Sequence, residues 1–182
     1  MTTVSLRRVT PDDTDLIHAW RSEPTIAAHQ PLLPLPRADI HTMIVQRSHS
    51  LVGPRSHGDF QWLIVSGETP VGWISLKIAP QDRPHGKGNI GYAISEAHRR
   101  RGYGGAGVAA LLPIAFGRDG FDLERLEAVA AVENMASRRV LEFNGFRFEG
   151  VQRGLLLIRG VRVDHAMYGL LRTDLPDYQG GD

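Results

Sequence analysis

A glycine-rich turn between a predicted strand and a predicted helix constrains this chain more than any other segment. The stretch Asn89–Ser95 is typical of a strand, and Val108–Phe116 is apolar enough for a buried helix. Glycines between them allow the backbone to turn tightly and to approach a ligand. Amides at a helix start have no internal acceptor, and with the helix dipole they suit a pyrophosphate. We therefore predict a phosphate-binding turn formed by Arg99, Arg100, Arg101, Gly102, Tyr103, Gly104 and Gly105.

Two common phosphate motifs are absent from this stretch. A Walker loop ends in Gly-Lys-Ser/Thr, which does not occur here, and the dinucleotide fingerprint G-x-G-x-x-G is also missing. The pattern of elements also lacks the parallel βαβ series that accompanies that fingerprint. The remaining alternative is a glycine-rich turn with a solvated basic face, and the turn by itself leaves that alternative open.

The order of predicted elements is β-α-α-β-β-β-α-β-α-β-β, which favours an α/β fold of the α+β type. The first strand covers Ser5–Val9, and Thr10 is predicted to cap the helix that follows. Turn residues at Gly67–Pro70 and at Arg159-Gly160 each predict a hairpin. We expect a mixed, mostly antiparallel, twisted sheet of about seven strands flanked by about four helices.

The chain is expected to form a single domain over residues 1–182, with a core from about residue 5 to 172 and a flexible tail over 173–182. The segment Ser22–Pro36 contains four prolines and is predicted to be irregular. Pro113 falls inside a predicted helix, where proline removes a backbone hydrogen bond and should kink the axis. The sequence offers no reason for that conflict.

Composition excludes several classes of function. The chain has no cysteine, which rules out disulfides, thiolate metal sites and a cysteine nucleophile. Its eight histidines are scattered, so no metal site is expected. The net charge of +1 argues against a nucleic-acid coat or a basic membrane anchor. The first ten residues, MTTVSLRRVT, hold no apolar stretch for a signal peptide, so we expect a cytoplasmic protein.

Several sequence blocks resemble the GCN5-related N-acetyltransferases, the GNAT superfamily. Arg99-x-x-Gly102-x-Gly104 is similar to the superfamily motif Q/R-x-x-G-x-G/A. Further blocks resemble the RimJ/RimL branch, which acetylates the N-termini of ribosomal proteins. They are Leu6-Arg7-x-Val9-Thr10-x-Asp12-Asp13, Pro70-Val71-Gly72, Ile90-Gly91-Tyr92, Glu133-Asn134-x-Ala136-Ser137-x-x-Val140-Leu141-x-x-x-Gly145-Phe146 and Asp164-x-x-x-Tyr168-x-Leu170-Leu171. The resemblance runs from about residue 5 to residue 172.

This resemblance implies a site for acetyl-CoA, used as a co-substrate without a metal. The fourth and fifth strands should splay apart and hold the pantetheine arm against Ala93, Ile94 and Ser95, with the pyrophosphate on the turn. Asn134 matches a residue that contacts the pantetheine arm, and Ser137 matches the hydroxyl that protonates the departing thiolate. Both residues have a purely structural alternative, because asparagine is a favoured helix cap and Ser137 lies in the first helical turn.

The general base is not apparent. The family often has glutamate where this chain has Asn89, and an acidic residue where this chain has Leu156. A lysine amine costs about 4.6 kcal/mol to deprotonate at pH 7, whereas an α-amine costs only about 1–1.4 kcal/mol. A site without a strong base therefore favours α-amines. The substitute bases that stay open are a water chain or the side chains of Glu96, His98, Asp164 and His165.

The acceptor is therefore expected to be a primary amine, most simply a protein N-terminus. A small amine, such as an amino-acid derivative, antibiotic or polyamine, is an alternative, as is a non-catalytic acyl-CoA-binding module. RNA binding through RRRGYGG is disfavoured by the near-neutral charge, and a homodimer stays open. Acceptor specificity is expected in three segments that match the family least: Ser22–Pro36, Leu51–Asp59 and Ile158–Val161.

Overall fold

A computed structural model describes residues 3–30 and 34–176 of the chain. These residues form one seven-stranded sheet in the order β1-β2-β3-β4-β5-β7-β6. The strands are β1 Ser5–Arg8, β2 Gly58–Ser66, β3 Thr69–Ile78, β4 Lys87–Ile94, β5 Arg125–Ala131, β6 Arg147–Ile158 and β7 Val161–Leu171. The helices are α1 Thr14–Arg21, α2 Pro24–Ala27, α3 Arg37–His49, α4 Tyr103–Phe116 and α5 Met135–Phe143.

Every neighbouring pair of strands is antiparallel except β4 and β5, which run parallel. Parallel neighbours need a long crossover, and α4 supplies it. The predicted fold class, a mixed and mostly antiparallel sheet with splayed central strands, is confirmed. The single-domain extent of the whole chain remains an expectation.

The sheet is covered on both faces, because successive strand residues point to opposite sides. Ile64 and Ile74 pack on one face with α4 residues such as Leu111. Their neighbours Leu63 and Trp73 pack on the other face with residues of α1 and α3. The strand order places β4 and β5 in the middle of this sheet.

Helix α4 continues through Pro113, although a proline inside a helix removes a backbone hydrogen bond. Pro113 and Ala109, four residues before it, are both exposed. The carbonyl that loses its usual donor is therefore on the solvent side, where water can bind it. The residues on the opposite side, Leu111 and Ala115, are fully buried and keep the helix against the sheet.

The prediction that Ser22–Pro36 is irregular is wrong in part, because Pro24–Ala27 forms the short helix α2. Pro24 occupies the first helical position, where its missing N–H costs nothing. Ile26 is only 2% exposed and anchors the turn in the core beside α1 and α3. Residues 31–33 of this segment lie outside the described part.

The predicted flexible tail, residues 173–182, is described only to residue 176. Arg172–Asp174 form a short 3-10 helix, and Asp174 accepts a hydrogen bond from the amide of Leu171 at 3.0 Å. Asp174 also pairs with Arg147 at 2.7 Å. The rest of the predicted tail, residues 177–182, lies outside the described residues.

Asp13 holds the segment that leads into α1. Its carboxylate accepts hydrogen bonds from Arg7 at 2.8 and 3.0 Å and from the Thr10 amide at 2.8 Å. Burial by itself would raise the pKa of Asp13, but the hydrogen bonds from Arg7 and Thr10 outweigh burial and lower it. Thr10 is the N-cap of a 3-10 turn over Pro11–Asp13, which agrees with the predicted start at Pro11, and Asp13 is the N-cap of α1.

We expect Asp13→Asn to lower the free energy of unfolding by about 1–3 kcal/mol, measured by urea titration at pH 7. Because the folded pKa lies below the unfolded one, the carboxylate stabilises the fold at pH values above the unfolded pKa. This stabilisation is lost as the pH falls through the folded pKa. The difference between wild type and variant should therefore shrink in acid. The matched control, Asp12→Asn at the exposed neighbour, should change stability by less than about 0.5 kcal/mol.

Candidate active site

A gap opens between β4 and β5 where their pairing ends. The two strands pair only from Lys87 with Arg125 to Asn89 with Glu127. β5 then stays paired with β7 as far as Ala131 opposite His165, while β4 stays paired with β3 as far as Ile94. Beyond residue 89, the facing edges of β4 and β5 therefore leave backbone groups without a partner strand.

The register with β3 decides which groups of β4 face this gap. The Ser95 amide donates to Val71 O at 3.0 Å, and in an antiparallel ladder every second residue shares this direction. Ala93, opposite Trp73, therefore also directs its backbone groups toward β3. The backbone groups of Tyr92 and Ile94 point the other way, into the gap.

Two side chains already occupy the carbonyls of that edge. Gln30 Nε2 donates to Tyr92 O at 2.8 Å, and Arg99 Nε donates to Ile94 O at 3.3 Å. These contacts support the direction inferred from the ladder. The amides of Tyr92 and Ile94 have no acceptor among the described residues, so this edge offers two hydrogen-bond donors to a ligand.

The predicted phosphate turn lies directly beyond this edge. Arg100 has φ 59°, and Gly102 has φ 79° with ψ 0°, so the chain passes twice through the left-handed region before α4 begins. The first backbone bond of α4 runs from Ala106 N to Gly102 O at 3.1 Å. The amides of Tyr103, Gly104 and Gly105 therefore have no acceptor within the helix and point out of its N-terminus.

Helix α4 approaches the strand and α5 closely at Gly104. A Cβ atom at this position would lie 3.6 Å from Val140 Cγ2, 3.7 Å from Ile94 Cγ1 and 3.9 Å from Tyr92 Cε2. The phosphate turn, the free edge of β4 and the start of α5 thus converge on one place.

The start of α5 carries the two predicted residues Asn134 and Ser137. Asn134 Oδ1 accepts the Ser137 amide at 3.1 Å, so Asn134 is the helix cap, as its structural alternative required. Ser137 is tied to β4 as well, because its Oγ lies 2.9 Å from the hydroxyl of Tyr92. The same tyrosine hydroxyl donates to Ser137 O at 3.1 Å. Burial raises the pKa of Tyr92 to about 12, so its hydroxyl stays protonated at neutral pH.

Sequence reasoning did not select Tyr92 as a site residue. The only signal was the Ile90-Gly91-Tyr92 block, which was used for the family resemblance alone. Of the residues predicted to hold the pantetheine arm, Ile94 directs its backbone into the gap, whereas Ala93 and Ser95 direct theirs to β3. Which of these groups contact a ligand remains a prediction.

Three of the four substitute bases are exposed or half-buried and form contacts with neighbouring groups. Glu96 accepts hydrogen bonds from the Thr25 hydroxyl at 2.7 Å and the Thr25 amide at 3.1 Å, and these bonds lower its pKa. Asp164 is exposed and accepts the Gly154 amide at 2.7 Å. His98 Nδ1 lies 2.8 Å from Ser95 Oγ.

The fourth substitute base, His165, is only 2% exposed. It lies opposite Ala131, at the end of β5, where the gap between the central strands is open. Its Nδ1 is 2.9 Å from Val163 O and acts as the donor, because a carbonyl can only accept. In that tautomer Nε2 is the nitrogen that can accept a proton. Among the four substitutes, His165 is therefore the buried one at the end of the gap.

Two of the three predicted acceptor segments meet beside the gap. Arg159, at the tip between β6 and β7, donates to Pro24 O at 3.1 Å. The Glu96 amide donates to Glu23 Oε2 at 2.8 Å and holds the same segment against the end of β4. The third segment, Leu51–Asp59, leads into β2 beside Ile78, at the opposite end of the sheet from the gap. It is therefore poorly placed to bind an acceptor.

Neither a membrane span nor a metal cluster occurs in residues 3–30 and 34–176. Among their helices, none is both long and apolar enough to cross a bilayer. Nor do three or more histidine, aspartate or glutamate side chains come together there as a metal ion would require.

Comparison with known proteins finds N-acetyltransferases of similar sequence and similar fold. The uncharacterized N-acetyltransferase p20 of Bacillus licheniformis is 23% identical over 171 residues, 94% of each chain. A spermidine N-acetyltransferase of Vibrio cholerae, in complex with CoA and spermine, superposes with a TM-score of 0.81 at 17% identity, covering 96% of this chain and 98% of that chain. RimL, a ribosomal L7/L12 alpha-N-protein acetyltransferase in complex with coenzyme A, gives a TM-score of 0.76 at 19% identity, covering 94% and 95%.

Solved structures at these low identities show a shared fold. The family follows from the sequence itself, because residues 3–147 match the acetyltransferase (GNAT) domain. The chain belongs to the GNAT family of acetyltransferases.

Proposed function

We propose that this acetyltransferase transfers an acetyl group from acetyl-CoA to the α-amino group of a protein N-terminus. The observation that carries the proposal is the set of free amides at the N-terminus of α4, next to an unpaired strand edge with two further amide donors. Such amides suit the diphosphate of CoA, and each charge-assisted hydrogen bond contributes about 1.5–3 kcal/mol. The RimJ/RimL-like sequence blocks support the α-amine as acceptor.

The reaction is a direct attack of the neutral amine on the thioester carbonyl. A C–N bond forms, the C–S bond breaks, and negative charge moves first to the carbonyl oxygen and then to sulfur. The amide of Tyr92 or Ile94 supplies a donor for the oxygen. Ser137 Oγ–H gives its proton to the thiolate and regains one from water, while the amine proton leaves to His165 or to solvent.

The acidic residues beside the gap are already paired within the chain, which favours an α-amine over a polyamine as the acceptor. Beside the gap, the segment Ser22–Pro36 contains Glu23 and contacts Glu96, and both acids accept hydrogen bonds from this chain's own backbone. Positive charge is also close, because Arg99 acts on Glu96 and Arg159 contacts Pro24. A polycation therefore finds little uncompensated negative charge there.

A thiol-release assay with acetyl-CoA tests this proposal. The acceptors are a decapeptide with a free N-terminus, the same peptide with a formyl-blocked N-terminus and one internal lysine, and spermidine. We expect kcat/KM for the free peptide to exceed both others at least tenfold, and to rise with pH until the α-amine is deprotonated near pH ~8.

Equal or faster turnover of spermidine would contradict the protein acceptor and support a small amine. CoA binding by calorimetry without turnover of any amine would contradict catalysis altogether and leave an acyl-CoA-binding module. Mass spectrometry of a cell extract treated with the protein would then identify which amines, if any, gain an acetyl group.

A further inference from the structure

Tyr92 joins the two sides of the gap. Its ring projects from β4 on the side of α4 and α5, and its hydroxyl contacts both Oγ and the carbonyl oxygen of Ser137, 45 positions further along the chain. Ser137 in turn is held by the Asn134 cap. The serine hydroxyl therefore has a fixed neighbour on the strand where the thioester is proposed to lie.

The number of protons in this contact limits what Ser137 can do. The tyrosine hydroxyl has one proton and two acceptors, Ser137 O at 3.1 Å and Ser137 Oγ at 2.9 Å. When tyrosine donates to the carbonyl, the serine proton can point back to the tyrosine oxygen and is withheld from the gap. When tyrosine donates to Oγ, the serine proton is directed away from Tyr92 and is available to a ligand.

We propose that Tyr92 is a positioning residue that directs the Ser137 proton toward the leaving thiolate. As negative charge grows on sulfur, the Tyr92 hydroxyl rotates from Ser137 O to Oγ, and Ser137 donates outward. Tyr92 keeps its own proton throughout; only the serine O–H bond breaks as the S–H bond forms. This inference rests on the proposed function of Ser137.

Burial supports the role of Tyr92 as a donor. The pKa of about 12 keeps the phenol neutral over the working range of pH, so it is not itself a base for the amine. A donor to Oγ also lowers the cost of negative charge on that oxygen while its proton is in transit.

A double-mutant cycle tests the proposal with the full-length protein. Tyr92→Phe should lower kcat by about five- to tenfold, the effect of one neutral hydrogen bond. The Kd for CoA, measured by calorimetry, and the KM for the amine should each change less than about twofold. In a Ser137→Ala background, Tyr92→Phe should have no further effect on kcat.

Tyr168→Phe is the matched control. Tyr168 is a tyrosine 1% exposed whose hydroxyl also binds α5, accepting from Arg138 at 3.0 Å and donating to Glu142 at 2.7 Å. Tyr168→Phe removes the same phenolic oxygen and a similar set of hydrogen bonds to α5, and kcat should stay within about twofold of wild type. If Tyr168→Phe lowered kcat as much as Tyr92→Phe, the loss of a hydrogen bond that holds α5 to the sheet would explain both results, and the proposal would be overturned.

Introducing 3-fluorotyrosine at position 92 keeps the ring and the hydroxyl, and should retain at least half of kcat even if Tyr92→Phe folds poorly. Loss of activity there, or additive effects in the Ser137→Ala background, would overturn the role of Tyr92. Absence of turnover in the wild-type protein with every amine would instead refute the proposed function, so the two failures are distinguishable.

Discussion

Gly102→Val is expected to weaken CoA binding by at least about a hundredfold, which equals the loss of one or two charge-assisted hydrogen bonds. Gly102 has φ 79°, a conformation that is costly for any residue with a side chain and most costly for a β-branched one. The turn must therefore rearrange, and the amides of Tyr103, Gly104 and Gly105 lose their common direction. Isothermal titration calorimetry with CoA measures the change.

Gly67→Val is the matched control for backbone strain. Gly67 also has a positive φ of 60°, lies in the turn between β2 and β3, and has no atoms within 4 Å of an added Cβ. The free energy of unfolding of Gly67→Val should fall by about 1–2 kcal/mol, while the affinity of this variant for CoA stays within about twofold of wild type. Unchanged CoA affinity in Gly102→Val would show that the phosphates bind elsewhere.

Ser137→Ala is expected to lower kcat by about a hundredfold, the lower end of the range for a positioned acid, with little change in the Kd for CoA. The variant loses the proton donor and its contact with the Tyr92 hydroxyl. It keeps the cap from Asn134, which accepts from the backbone amide of residue 137. Steady-state kinetics with the free-N-terminus decapeptide, together with calorimetry, separates kcat from binding.

Ser48→Ala is the matched control for the loss of a helical serine hydroxyl. Ser48 lies in α3, and its hydroxyl donates to Val45 O at 2.8 Å, away from the gap. Its kcat should stay within about twofold of wild type. If Ser137→Ala kept full turnover, water would be the acid and the role of Ser137 would be limited to the first turn of α5.

The phosphate turn shows how far local sequence can predict a site. Glycines and arginines between an apolar strand and an apolar helix predict a helix start with free amides. The structure has that start at Tyr103, preceded by positive φ values at Arg100 and Gly102. The positive φ at Arg100 had no signal in the sequence, because arginine rarely adopts it.

The base and the acceptor segments were less accessible to sequence reasoning. Asp164 and His165 are neighbours in β7, so their side chains point to opposite faces of the sheet. Only the structure shows that His165 is the buried one and Asp164 the exposed one. The contact between Arg159 and Pro24 joins residues 135 positions apart. No periodic pattern encodes such a contact.

The sequence by itself determined the order of the strands and of the helices other than α2, the glycine turn and the cap at Asn134, because each depends on residues within a few positions of one another. Tertiary structure decided three further features: which β4 amides face the gap, that Tyr92 reaches Ser137, and that α2 meets the β6–β7 tip. The first depends on the hydrogen-bond register between β3 and β4. The other two depend on where distant elements pack, and a one-residue shift in pairing would reverse every direction that the site uses.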